Sequence, residues 1–259
     1  RKKNMKISDL IEWDENEKPL DRIAGDGGNC AILRTIGCIG DSLSSGEFEA
    51  VIPGSTTKYH DIFEYSWGQF LARMCGITVY NFSQGGMTAK EYIDSFADQK
   101  GFFDPKYKCK AYIIALGLND LYFQNHIVGT KDDIKPDMNN ACTFIGYYGK
   151  IIQKYKQISP DAKFFLVTSP KNDDDEKRLM TNAKKLRDAV YTIAECFDNT
   201  YIIDLYEYAP IYNQKFRDKF FLAGHMNPCG YLLSAKIIAS YIDYIIRHNL
   251  KDFEMTAFI

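Results

Sequence analysis

The sequence predicts an α/β fold, a three-layer α/β/α sandwich around a five-stranded, mostly parallel sheet. Three observations predict it. Five short runs rich in apolar, β-branched and aromatic residues are bounded by polar or glycine-containing turns, and the stretches between them carry apolar residues at steps of three and four. The five runs are also continuously apolar, as strands buried on both faces are. Strands of that kind alternating with helices pack as a parallel sheet covered on both sides through right-handed crossovers.

The elements follow in order. Residues 1–31 carry charge and a Gly25-Asp26-Gly27-Gly28 turn cluster, and read as an N-terminal extension packed on a single domain that spans 1–259. The strand runs are Leu33 to Ile39, Ile77 to Phe82, Ala111 to Leu116, Lys163 to Thr168, and Thr200 to Leu205. Helical spacing places Phe63, Trp67, Phe70, Leu71 and Met74 on one face, and similar faces occur in Ala89 to Ala97, Phe144 to Ile158, Lys177 to Phe197 and Tyr231 to Ile246. No internal repeat or low-complexity linker divides the chain. Two long connections follow strands, Ser44 to His60 and Asp120 to Met138, and loops of that length at a strand's carboxyl end shape ligand sites.

Ligands of parallel sheets bind outside the carboxyl ends of the strands, so the chemistry is sought there. After the first strand comes Gly40-Asp41-Ser42-Leu43, where Ser42 is either a nucleophile exposed at a turn or a helix N-cap. After the second comes Asn81-Phe82-Ser83-Gln84-Gly85-Gly86-Met87-Thr88, an ordinary β-to-α turn or a glycine pair that turns its amides to a ligand. After the third, Leu116-Gly117-Leu118-Asn119-Asp120 offers Asn119 as an amide donor or as an Asx-turn. Near the C-terminus, Ala223-Gly224-His225-Met226-Asn227-Pro228 puts a histidine in a loop before the last helix. His60, His126 and His248 are read as non-catalytic; His126 is the least secure, because its loop borders the predicted site.

In this order and at these strand ends, the four segments resemble the SGNH (GDSL-type) hydrolase family over about residues 33 to 248. The resemblance implies the flavodoxin-like SGNH fold and a carboxylic ester hydrolase. It makes Ser42 the nucleophile, His225 the general base, and the Ser42 amide, the Gly86 amide and the Asn119 side chain the oxyanion hole. One position departs from the family pattern. An Asp usually stands three residues before the histidine, and here that residue is Leu222. The expectation is a Ser42–His225 dyad in which a carbonyl of the Phe221 to Ala223 region accepts the imidazole N–H, with another carboxylate, Asp218 or Asp204, as the alternative partner.

Composition excludes other classes. Hydrophobic residues make up 46% and charged residues 25%, and the formal net charge of −2 gives no electrostatic reason to expect nucleic acid as a partner. The basic groups Arg1-Lys2-Lys3 and Lys184, Lys185 and Arg187 read as a solvated end and a solvated helix face. No apolar run reaches the ~18 residues that span a bilayer, and Ile7 to Trp13 is too interrupted for a signal-peptide core, so no membrane partner and a cytoplasmic location are expected, short of a leader already removed. Seven scattered cysteines without a C-x-x-C pair read as reduced core thiols. No G-x-G-x-x-G, Walker, G-x-S-x-G or H-E-x-x-H pattern occurs at the relevant positions, so no cofactor or metal is expected.

Aromatic residues Phe48, Tyr59, Tyr65, Tyr122 and Phe123 flank the predicted site. Without an extended apolar lid, the substrate is expected to be a small-molecule or glycan ester with a short acyl group such as acetyl. The alternatives are a lipase, lysophospholipase or thioesterase of the same fold, or a non-catalytic carbohydrate-binding member.

Overall fold

A computed structural model describes residues 14–50, 54, 58–173 and 181–256. The Arg1-Lys2-Lys3 cluster, the Ile7 to Trp13 stretch and the start of the Lys177 to Phe197 stretch lie outside the described residues. The strands are β1 (Thr35–Gly40), β2 (Glu47–Ala50), β3 (Lys58–Asp61), β4 (Thr78–Asn81), β5 (Ala111–Ala115), β6 (Lys163–Val167) and β7 (Thr200–Ile203). The main helices are α1 (Ser42–Ser45), α2 (Trp67–Cys75), α3 (89–99), α4 (Phe144–Ile158), α5 (Asn182–Ala194), α6 (Gln214–Phe220) and α7 (Pro228–His248). All five predicted strands form one sheet in the order β4-β1-β5-β6-β7, every neighbouring pair parallel.

Alternation along each strand divides the core in two. Ile36 and Cys38 of β1, Ile113 of β5 and Phe165 of β6 face α2 and α7, together with Trp67, Leu71, Ile238 and Ile242. Ile39, Tyr112, Ile114 and Phe164 face the other way, against Tyr92, Tyr148, Tyr155, Leu186 and Val190 of α3, α4 and α5. Both faces are therefore covered, which is why the strands lack polar alternation. Each fully buried Phe, Leu or Ile contributes about 1.5–3 kcal/mol of transfer free energy. The helices start where side chains cap them: Ser66, Thr88, Thr143, Thr181 and Asn227 each accept a backbone N–H of the first turn, worth typically ~1 kcal/mol apiece.

Residues 14–33 pack on α7: the Ala24 N–H donates to Ser240 Oγ, Asn29 donates to Asp243, and Arg247 pairs with Glu17. Helix α7 is long and apolar enough by composition to cross a membrane, yet most of its apolar stretch is buried inside the protein, the pattern of a core helix. Two sequence expectations are corrected. Arg187 does not belong to a solvated face, because its Nε reaches the Asp204 carboxylate at 2.8 Å. Of the cysteines, Cys142 and Cys229 are exposed and Cys75 and Cys196 half-buried, so only Cys30, Cys38 and Cys109 are core thiols.

Sequence periodicity did not reveal the β2–β3 hairpin. Its strands are antiparallel, short and half- to fully exposed, with Glu47 opposite Asp61 and Phe48 opposite His60. It fills the connection after β1 and stands over the carboxyl edge of the sheet. The hairpin is tied down at its base: Tyr231 Oη donates to the Glu47 carbonyl at 2.5 Å, Ser45 Oγ donates to Asp61 at 2.6 Å, and the Ile62 N–H to the Gly46 carbonyl at 3.0 Å.

Candidate active site

Taken in sequence, the five sheet strands run 2-1-3-4-5, and in that order the switch point lies between the first and third, here β1 and β5. Ser42 follows β1 and Asn119 follows β5, so both stand at that crevice. Ser42 is the first residue of α1, half-buried, where the helix leaves its early amides without internal acceptors. Asp41 is the N-cap, accepting the Leu43 N–H on its side chain at 3.1 Å and the Ser44 and Ser45 N–H groups on its carbonyl. Of the two readings left open for Ser42, the capping role thus falls to Asp41.

Gly86 lies in a tight turn closed by the Met87 N–H donating to the Gln84 carbonyl at 3.3 Å, and its φ of 73° is one that side-chain-bearing residues rarely adopt. The turn is fixed to β1, since the Gln84 N–H donates to the Gly40 carbonyl and Ser83 Oγ to that of Cys38. Asn119 bridges the two loops. Its Nδ2 donates to Asp41 Oδ2 at 3.3 Å and to the Met87 carbonyl at 3.2 Å.

Asp41 is 3% exposed, and burial pushes its carboxyl up to about 6, against the pull of the Leu43 amide and nearby His225. Because the folded value lies above the unfolded 3.8, the folded state binds the extra proton between those two values. The cost of the buried charge is fully present above pH 6 and is relieved as pH falls through 6 toward 4. It is on the order of 3 kcal/mol. The melting temperature of Asp41→Asn, relative to the native protein, is expected to rise between pH 4 and pH 7 by roughly 5 °C. A difference that stays flat across that range would mean that Asp41 ionises freely.

His225 is presented by a narrow loop ahead of α7. The Leu222 N–H donates to the His225 carbonyl at 2.9 Å, Phe221 and Met226 bridge, and Arg217 Nη2 donates to the Ala223 carbonyl. The acceptor of its ring N–H is not a carbonyl of the 221–223 region. Nδ1 lies 3.2 Å from Glu49 Oε2, which also accepts the Gly224 N–H at 2.6 Å, while Nε2 lies 3.1 Å from Glu47 Oε1. Residues i and i+2 of a strand share a face, so one strand delivers both carboxylates, with Phe48 turned the other way onto Tyr65 and Tyr231. Tyr59 meets the imidazole edge-on at 5.6 Å between centroids. Glu47 is raised above the ordinary carboxylate range, chiefly by burial. It packs against Gly85 so closely that a β-carbon there would collide with Oε2.

The acid partners considered from sequence are corrected. Asp218 is on the exposed surface of α6 and accepts from Gln214. Asp204 is buried at the end of β7 and takes Thr168 Oγ1, Arg187 Nε, Tyr191 Oη and the Glu207 N–H, a strand-end anchor. Leu222 is 55% exposed. His126 is paired to Asp120, which holds the Ala89 N–H at the start of α3; His60 is on the exposed β3, and His248 Nδ1 meets the Tyr244 carbonyl. Among the described residues no hydrogen bond joins Ser42 Oγ to His225, whose Nε2 is turned to Glu47; such contacts often tighten only with substrate bound. The missed residues are Glu47 and Glu49. The available signal was a pair of carboxylates at i and i+2 inside a long connection next to the site. Among the described residues no group of His, Cys, Asp and Glu is arranged to hold a metal ion.

Residues 38–233 match the model of the GDSL-like Lipase/Acylhydrolase family. No curated protein matches the chain by sequence. Among solved structures, the chain is similar to a family two carbohydrate esterase from Clostridium thermocellum in complex with cellohexaose, at 17% identity and a TM-score of 0.59. That likeness covers 85% of this chain and 65% of the other. It is also similar to a Clostridium thermocellum family 3 carbohydrate esterase (15% identity, TM-score 0.52, 83% and 97% covered). A lipase/acylhydrolase from Enterococcus faecalis gives 19% identity and a TM-score of 0.50, with 83% and 96% covered. At these identities the likeness is one of fold.

Proposed function

The chain belongs to the GDSL-like lipase/acylhydrolase family of carboxylic ester hydrolases, and we propose that it works as a serine esterase through an acyl-enzyme at Ser42. Its substrates carry a short acyl group, such as acetyl, on a carbohydrate or another small alcohol. The observation that carries this reading is the convergence of Ser42, Gly86 and Asn119 from three strand ends with His225, whose Nδ1 faces Glu49.

Glu49 accepts the Nδ1 proton and so leaves Nε2 as the base. Nε2 moves from Glu47 onto the Ser42 hydroxyl and takes its proton as Oγ attacks the ester carbonyl. The amides of Ser42 and Gly86 and the Asn119 side chain, which gives up one of its two resting acceptors, hold the oxyanion. The imidazolium then protonates the departing alcohol. Water, deprotonated by the same nitrogen, cleaves the acyl-enzyme and restores Ser42.

The alcohol side supports a neutral, hydroxylated partner. Carboxylates of Glu47 and Glu49 contact the histidine, with Asp41 nearby and Asp61 beside Glu47, and together they repel phosphate-bearing alcohols. Exposed Tyr59 offers a ring face, and an open groove of about 320 Å³ beside Gly86 is lined by polar groups of Gln84, Ser95 and Gln99. The likeness to carbohydrate esterases agrees with this.

Acid quenching during turnover of p-nitrophenyl acetate tests the covalent step. The intact protein is expected to gain one acetyl group, and peptide mapping to find it on Ser42. Turnover with the acetyl group on another residue, or with none bound under burst conditions, would remove Ser42 from the mechanism.

A further inference from the structure

We propose that the acyl group is a chain of four to five carbons, butyryl or pentanoyl, seated in an apolar cavity beside Ser42; this rests on the esterase reading and narrows it. The cavity has a volume of about 90 Å³ and lies at the carboxyl ends of β1, β5 and β6. Asp41, Leu43 and Ser44 on either side of Ser42 contribute to its wall, as does Met226 next to His225; Ser42 and His225 themselves do not, so the cavity lies beside the segments that carry the nucleophile and the base. Gly86 and Asn119 are not in its wall. With the carbonyl oxygen directed to those donors and the leaving oxygen to His225, the remaining substituent of the tetrahedral carbon, the acyl chain, is directed into the cavity.

The lining demands an alkyl group. Leu118, Trp67, Val167, Leu186, Leu205 and Ile238 supply most of it, and among the described residues Asp41 is the only charged one in it. The wall hydroxyls have partners: Thr168 Oγ1 in Asp204, Ser169 Oγ in the Pro170 carbonyl, Ser234 Oγ in Met226 Sδ, and the Tyr212 hydroxyl in Ser234. Ser44 Oγ has none among the described residues, but it is covered by protein and packed on Gly40, out of a ligand's reach. A polar acyl substituent would therefore lose its water without replacement.

Size sets the length. A cavity of about 150 Å³ holds the six carbons of benzene, so one of 90 Å³ holds roughly three to four. Those are the carbons beyond the carbonyl in butyryl and pentanoyl. Each additional methylene buried contributes about fourfold in kcat/KM, so butyrate is expected to exceed acetate by about fifteenfold, with octanoate falling because it overfills the space.

The experiment measures two things on the full chain: kcat/KM for p-nitrophenyl acetate, butyrate, hexanoate and octanoate, and equilibrium binding of the acetate and butyrate esters to Ser42→Ala. A rate maximum at four to five carbons is expected, with tighter binding of butyrate. Val167→Phe and Ile238→Phe, each checked for a native melting transition, fill the cavity from different walls and should bring the butyrate-to-acetate ratio down to about one. A rate that falls steadily from acetate, a maximum at octanoate, or a ratio unmoved in a folded filled variant overturns the assignment. Preferential butyrate binding without turnover of any ester by the native protein would support the cavity while removing the esterase reading.

Discussion

Replacing Ser42 by alanine is expected to lower kcat/KM for a p-nitrophenyl ester by about a hundred-thousandfold or more, the scale on which serine hydrolases lose rate when the nucleophile is removed. The substitution deletes the oxygen that forms the acyl-enzyme and leaves His225, Glu49, Gly86 and Asn119 in place. A residual rate above the uncatalysed one is expected from the oxyanion donors and substrate binding alone. Stability should be nearly unchanged, within about 0.5 kcal/mol, because the cap of α1 is supplied by Asp41 and not by Ser42. Kinetics and a thermal melt on the same preparation check both statements. Equal rates in the two proteins would exclude Ser42 as nucleophile, and a large fall in melting temperature would assign the serine a structural role.

The sheet and the four loop segments were legible for one physical reason. Parallel strands covered on both faces must be apolar throughout, and their carboxyl ends converge on one edge, so the segments that carry Ser42, Gly86, Asn119 and His225 could be sought along that edge before any contact was known. For Asp204, the position at a strand's end that made it a conceivable acid is the same one that buries it beneath Arg187 and Tyr191. The β2–β3 hairpin was not legible. Strands of four residues, exposed or half-exposed, have no buried face to impose a hydrophobic period. Glu49 is separated from His225 by 176 positions and meets it only because the hairpin folds back over the sheet edge. Local spacing around the histidine therefore pointed to Leu222 and to a missing acid, whereas the carboxylate comes from the other end of the chain.

Glu49→Gln is expected to lower kcat by a thousand- to ten-thousandfold with little change in stability, as the corresponding amide substitution does beside the histidine of a serine protease. The reason lies in which atoms can donate. Glu49 Oε2 accepts both the Gly224 N–H and the hydrogen on Nδ1, and only a carboxylate oxygen can take both and also stabilise the imidazolium formed when Ser42 loses its proton. A glutamine whose carbonyl oxygen stands in place of Oε2 can accept both hydrogens but brings no negative charge to the imidazolium. One turned the other way points its NH2 group at the ring, which favours the tautomer with the hydrogen on Nε2, and that tautomer cannot receive a proton from serine. Glu47→Gln is a different substitution on the same strand face, for Glu47 competes with Ser42 for Nε2. Neutralising it weakens the competitor and leaves the Nδ1 partner in place, so kcat is expected to stay within about tenfold of the native value, ~1.4 kcal/mol or less on the barrier. The two variants together decide which ring nitrogen serves Ser42. A collapse of activity in Glu47→Gln with Glu49→Gln nearly native would exchange their roles, making Glu47 the orienting acid and Nδ1 the base.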